Sequence, residues 1–195
     1  MSAVLVHPQR HRVDVQEYLR MAEAGVFGPE ARLELIEGEI IEMAPIGSWH
    51  AGVVNRLNRL FNRLAGGKAL VSVQNPLIVG KHSVPQPDLA LLKPRADDYL
   101  ASHPTADEVL LVIEVADCSL DFDTGTKVPL YARAGIVEAW VVDVEERVTR
   151  VFRDPNAKGY RTSTTVSGKQ KLATLALPQV AISAAAAAPS CSTAT

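Results

Sequence analysis

VPQPDLALLKP (Val84–Pro94) and LLVIEVADCSLDFDTGTKVPLY (Leu110–Tyr131) decide how this chain is read. Pro87 and Asp88 open one apolar run, and Glu114 is embedded in another. Carboxylates are rarely fully buried unless they are paired or bound to metal. Yet Asp88 precedes Leu89, Ala90, Leu91 and Leu92, and Glu114 follows Val109, Leu110, Leu111, Val112 and Ile113. Alternation along the first strand puts Asp88, Ala90 and Leu92 on one face. Something must compensate the two charges. A divalent cation held between the strands would do so, with Lys127 adding positive charge close by. The plainer alternative is a strand-end carboxylate in an ion pair with Lys127.

Working outward, the second run (Leu110 to Ala116) reads as a central strand covered on both faces. Asp117 to Thr126 reads as a loop, and a helix follows from Lys127 to Ala134, stopped by Gly135. In that reading Asp123 caps the helix and Cys118 is packing. Upstream, Asp14 caps a helix in which Val15, Tyr18, Leu19 and Ala22 recur at helical spacing. RLELIEGEIIEMAP reads as a hairpin hinged at Glu37-Gly38 with Glu34 on its first arm. Ser48 caps a helix from about His50 to Leu64, whose buried stripe is Val53, Val54, Leu57, Leu60, Phe61 and Leu64. Arg56, Arg59 and Arg63 share a neighbouring face of that helix with no acid among them. They are candidates for phosphate contact, or else a solvated face. A strand from Leu70 to Val79 follows, and Arg95 to Asp107 is a polar surface excursion. Val137 to Asp143 and Val148 to Arg153 are strands, with weaker candidates at Gly159 to Val166 and Leu172 to Leu177. The order gives a mixed α/β layer with the candidates on its middle strands. Residues 1–12 are expected to be a flexible arm, 13–183 one domain, and 184–195 an Ala/Ser/Thr-rich tail, although the alanine run could also extend a helix.

The chain has 195 residues, which suits one domain with a real core. A net charge of -2 excludes a protein coated with basic residues, so nucleic-acid contact must be local. Two cysteines, Cys118 and Cys191, make neither a disulfide framework nor a zinc spacing, and suggest a cytoplasmic address. No signal peptide or membrane-spanning run is evident, so a soluble protein is expected. Asp117, Ser119, Asp121 and Asp123 alternate like a calcium loop, but Phe122 and Val128 stand where glycine and glutamate are needed. Gly66-Gly67-Lys68 lacks the leading glycine of a phosphate loop, and no Gly-x-Ser-x-Gly elbow occurs.

Pro87-Asp88, then Glu114 at the end of an apolar strand, then a lysine, in an αβββαβ order, resembles the PD-(D/E)XK nuclease superfamily. Within it, RLELIEGEI, GSWH, VPQPDLALL and LLVIEVADCSLDFDTGTKVPLYARAGIVEAWVVD resemble the putative restriction endonuclease family. That family was long labelled a domain of unknown function and is common in cyanobacteria and other bacteria. The similarity covers most of Asp14 to Phe152. It implies a restriction-endonuclease-like α+β fold with an N-terminal helix and hairpin, and a metal-dependent endonuclease acting on DNA, with a homodimer as the assembly and no membrane partner. Asp88, Glu114, Lys127, His50 and Glu34 would be the catalytic set, and Asp88, Glu114, Glu34 and His50 would hold Mg²⁺ or Mn²⁺. Two departures stand out. The superfamily's usual lysine position is Ala116, so Lys127 must reach back from the next helix. Ala116-Asp117-Cys118 stands where the family has a Ser-Pro turn. The rival expectation is a nuclease-fold protein that cuts poorly and acts as a nucleic-acid-binding or regulatory module.

Overall fold

The computed structural model describes residues 9–189. Helix α1 (Val15–Glu23) opens on a capping box in which Asp14 accepts from Glu17 N and Glu17 reaches back to Asp14 N. Strands β1 (Leu33–Ile36) and β2 (Glu39–Glu42) form a separate antiparallel hairpin. Its two turn residues both have positive φ, 50° at Glu37 and 86° at Gly38, the signature of a type I′ turn. Next come helix α2 (Ser48–Ala65) and strands β3 (Leu70–Val73), β4 (Leu89–Leu92) and β5 (Val109–Ala116). Helices α3 (Leu120–Phe122) and α4 (Val128–Arg133) flank a π-helical turn, Asp123–Lys127. Strands β6 (Glu138–Asp143), β7 (Val148–Asn156) and β8 (Gly159–Ser167) complete the main sheet. Its order is β3-β4-β5-β6-β7-β8, with β5 and β6 parallel and every other pair antiparallel. Helix α2, strands β3 to β5, helix α4 and β6 follow one another as the expected αβββαβ core. No described helix is long and apolar enough to cross a membrane.

Alternation along β5 divides the interior. Leu111, Ile113 and Val115 pack with Leu89, Leu91 and Trp140 against Val53, Leu57 and Phe61 of α2. Val112 packs with Ala90 and Leu92 against Leu130 and Tyr131 of α4. Glu114 has the parity of Val112, so it falls on the α4 side of a strand covered on both faces.

Several expectations need correction. The strand from Leu70 stops at Val73, because Gln74 turns the chain at φ 51°. Gly47, not Ser48, is the N-cap residue of α2, and it makes no side-chain cap. The loop expected over Asp117 to Thr126 is helical from Leu120, so Asp123 lies inside the helix and caps nothing. Pro129 supplies the cause of the π turn. It has no N–H and its ring crowds the carbonyl four residues back, so the preceding turn widens and Val128 N–H reaches Asp123 O instead. Of Leu172 to Leu177, only the start is strand: β9 (Lys171–Ala173) pairs with β10 (Ala181–Ser183) in a small sheet of its own. The alanines form a short helix, α5 (Ala184–Ala187), capped by Ser183 and packed on the α2 side of the core. Most of the expected N-terminal arm and the end of the tail lie outside the described residues.

Candidate active site

Chain topology brings together acids that are far apart in sequence. Lys127, at the end of the π turn, is 1% exposed and its Nζ lies 2.9 Å from Glu34 Oε1 and 3.2 Å from Glu114 Oε1. Glu34 is fully buried on β1, and its Oε1 also accepts from Gln86 N at 2.6 Å. Its Oε2 is buried with no partner. Tyr131, one helical turn beyond Lys127, donates its hydroxyl to Glu114 Oε1 at 2.5 Å. Glu114 Oε2 meets only Asp88 N, at 3.4 Å. Asp123 is also buried and accepts from Ser119 Oγ at 2.5 Å.

Asp88 stands at the entrance of β4, half-buried. Its Oδ2 accepts from Val115 N at 2.9 Å and lies 3.1 Å from His50 Nε2, while Oδ1 accepts from Gln74 Nε2 at 3.1 Å. The His50 Nδ1 atom is buried without a partner. One cleft connects these groups: His50, Asp88, Glu114, Asp123 and Lys127 line it, with Gln86 beside them. Arg32 and the segment Met43 to Gly47 form its rim, and Arg32 Nη1 donates to Ala44 O.

Proton affinities follow from this packing. Burial pushes Glu114 well above the usual carboxylate range despite the nearby Lys127 charge, and Asp123 is raised for the same reason. Burial would also strip the proton from Lys127, but Glu114, Glu34 and Asp123 outweigh it and the ammonium is held more tightly than usual. Burial alone would raise Asp88, yet the hydrogen bond and charge of His50, with Val115 N–H and Gln74, leave it below its ordinary value. The same hydrogen bond raises His50.

Of the residues singled out from sequence, Asp88, Glu114, Lys127, Glu34 and His50 meet in this cluster. Arg56, Arg59 and Arg63 do not line the cleft. Arg56 Nε donates to Ala186 O of α5, whereas Arg59 and Arg63 are exposed. Tyr131, Asp123, Gln74, Gln86 and Arg32 join the site without having been expected there, and Cys118, expected as packing, is instead exposed and lines the cleft. Only Tyr131 and Asp123 left a trace, each lying four residues from Lys127 along one helical stretch.

The donor chemistry fits a hard divalent cation. Asp88 and Glu114 present carboxylate oxygen to one cleft, and Glu114 Oε2 is barely engaged. Among the described residues no three His, Cys, Asp or Glu side chains already converge on one point. Mg²⁺ is often held by one or two carboxylates and several waters, so a pair suffices.

A family model described as "Putative restriction endonuclease" matches residues 15–186. The crystal structure of a putative nuclease belonging to DUF820, from Anabaena variabilis ATCC 29413, matches with a TM-score of 0.73 at 16% identity. That match covers 90% of this chain and 97% of the other. At such identity the likeness is one of fold. No curated protein matches the chain.

Proposed function

The chain belongs to the putative restriction endonuclease family, and we propose that it is a divalent-metal-dependent endonuclease that hydrolyses DNA phosphodiesters at the Asp88–Glu114 cleft. The observation that carries this reading is a charge imbalance. Four carboxylates, Glu34, Asp88, Glu114 and Asp123, share the cluster with two groups that can carry positive charge, Lys127 and His50, while Asp117 and Arg32 at the cleft's rim add one charge of each sign and leave the difference unchanged. Fully ionised, four minus two leaves two negative charges in a poorly hydrated site. Retained protons relieve part of it, and a divalent cation matches it.

Mg²⁺ or Mn²⁺, when bound, would supply Lewis acidity and charge neutralisation at the scissile phosphate. Asp88 and Glu114 are the residues that would hold it. Lys127 Nζ is held by ion pairs to Glu34 and Glu114 and lines the cleft, where its charge would meet charge developing on the phosphate. Glu34 and His50 take supporting roles rather than ligand roles, since Glu34 does not line the cleft and His50 turns its Nε2 to Asp88. Glu34 anchors Lys127, and His50 orients Asp88 through Nε2. In the neutral ring with Nε2–H donated to Asp88, the unpartnered His50 Nδ1 would be a lone pair able to receive a proton from water. In a homodimer, each copy would address one strand of a duplex.

The test is nicking of supercoiled plasmid with Mg²⁺ or Mn²⁺ at low salt, comparing parent protein with Asp88→Ala and Lys127→Ala of verified fold. Cutting by the parent that disappears in both variants supports the reading. Equal cutting by all three points to a contaminant and rejects the site. A folded, metal-binding parent that never cuts transfers the argument to a DNA-binding or regulatory role.

A further inference from the structure

Tyr131 is fully buried on α4 and does not line the cleft, so it cannot touch a substrate. Its hydroxyl nevertheless makes one of the shortest side-chain contacts in the cluster, 2.5 Å to Glu114 Oε1. Lys127 Nζ approaches the same oxygen at 3.2 Å. One carboxylate oxygen therefore takes a hydrogen bond and an ion pair from one helix, while the other meets only the distant Asp88 N–H. A glutamate side chain has a soft terminal torsion. A hydrogen bond and an ion pair on the same oxygen restrict that freedom and leave the other oxygen over.

We infer that Tyr131 is a positioning residue for metal binding: with Lys127 it ties down Glu114 Oε1 and so reserves Oε2 for a cation beside Asp88. The inference deepens the metal-dependent reading and rests on it. Partners that orient a ligating carboxylate typically contribute 10–100-fold to metal affinity or activity. Lys127 supplies charge to Glu114; Tyr131 supplies direction without charge. Removing the hydroxyl alone therefore separates orientation from electrostatics.

The experiment is calorimetric titration of Mn²⁺ into the full chain and into Tyr131→Phe, Glu114→Gln and the double variant, with melting curves recorded for each. Tyr131→Phe is expected to stay folded and to bind Mn²⁺ about 10-fold more weakly. In the Glu114→Gln background, where Asp88 remains, Tyr131→Phe is expected to change nothing further, because its effect passes through Glu114. A folded Tyr131→Phe with parental Mn²⁺ affinity overturns the proposal, as does an equal loss in the Glu114→Gln background. Failure of Tyr131→Phe to fold assigns the hydroxyl to the fold and overturns it too. A parent that binds no Mn²⁺ defeats the metal-dependent reading itself, and with it this proposal, before any variant is compared.

Discussion

Replacing Lys127 with methionine isolates the energetics of the cluster. Methionine keeps most of the aliphatic volume and removes the charge. At an effective dielectric near 20, unit charges at the observed 2.9 and 3.2 Å attract by about 5 to 6 kcal/mol each. Most of that offsets the desolvation of three buried groups, so the gross attraction is not the stability at stake. What decides the variant is the residue of the account: Glu34 and Glu114 remain buried with no cation. Breaking a buried pair on one side costs about 3–5 kcal/mol. At about 2–4 °C per kcal/mol for a chain of this size, the melting temperature falls by roughly 6–20 °C. The pH dependence gives the sharper check. In the variant the stranded carboxylates bind protons more readily when folded than their ordinary value near 4.3 allows, so its stability rises as pH falls from about 7 to about 5. Lys127 itself does not titrate in this window, and although Glu114 and Asp123 are already raised in the parent, the Lys127 charge holds both lower than they stand without it, so the parent gains less than the variant as pH falls. The gap between parent and variant, measured by urea unfolding, therefore narrows toward pH 5. A loss under about 1 kcal/mol near neutrality, or a gap that does not narrow, would refute the account of a buried, charge-paired network.

Three further outcomes are expected. The His50 ring titrates, by NMR, above its ordinary value near 6.5, and Asp88→Asn brings it down. The stabilisation from His50 is complete below about 6.5 and lost as pH rises past its folded value, while that from Asp88 holds above about 3.9 and fails as pH falls. The pair is thus strongest between those limits, and a His50 midpoint at or below the ordinary value contradicts it. Gly38→Ala loses about 1–3 kcal/mol in urea unfolding, since φ is 86° and the new methyl would sit 2.7 Å from Arg12 Cβ; an unchanged midpoint rejects the I′ turn as the hairpin's register device. If α2 meets DNA phosphates, Arg59→Ala with Arg63→Ala lowers the slope of log affinity against log salt by about 2, whereas Arg56→Ala mainly lowers stability because Arg56 already serves Ala186 O. Equal slopes in all variants remove α2 from the interface.

The hairpin, α2, β5 and the acid pair were legible because each is written locally. Glu37-Gly38 announces a turn, the apolar stripe of α2 has helical period, and Asp88 and Glu114 stand out as charges in apolar runs. Partnership was less accessible. That Lys127 pairs with Glu34 as well as Glu114 depends on where the hairpin docks, and no local pattern encodes that. Gln74 ends β3 early through a backbone conformation its residue type does not advertise. The alanines of α5 lacked any amphipathic signal, since a small residue packs against α2 without a stripe to betray it. Arg56 looked like its neighbours on the helix until α5 arrived to accept its hydrogen bond.

The segment Asp-Phe-Asp-Thr-Gly-Thr misled for a reason that bears on the chemistry. Asp123, Lys127 and Tyr131 are each four residues apart, and on an ideal helix each step of four overshoots a full turn by about 40°. Across two steps the side chains would fan over roughly 80°, too wide for all three to face one buried carboxylate cluster. The π turn from Asp123 to Lys127 is wider than an α turn and takes back part of that drift. All three side chains consequently point inward, and each is at most 3% exposed. Pro129, directly after the turn, favours the widening because it denies the next turn its hydrogen bond. Polar residues and Gly125 then make this stretch resemble a loop, because a helix bearing two charges inward cannot show the apolar stripe by which helices are recognised. The irregular turn and the buried lysine are therefore one feature: the same departure from helical pattern that hides the segment in the sequence delivers its cation to Glu34 and Glu114.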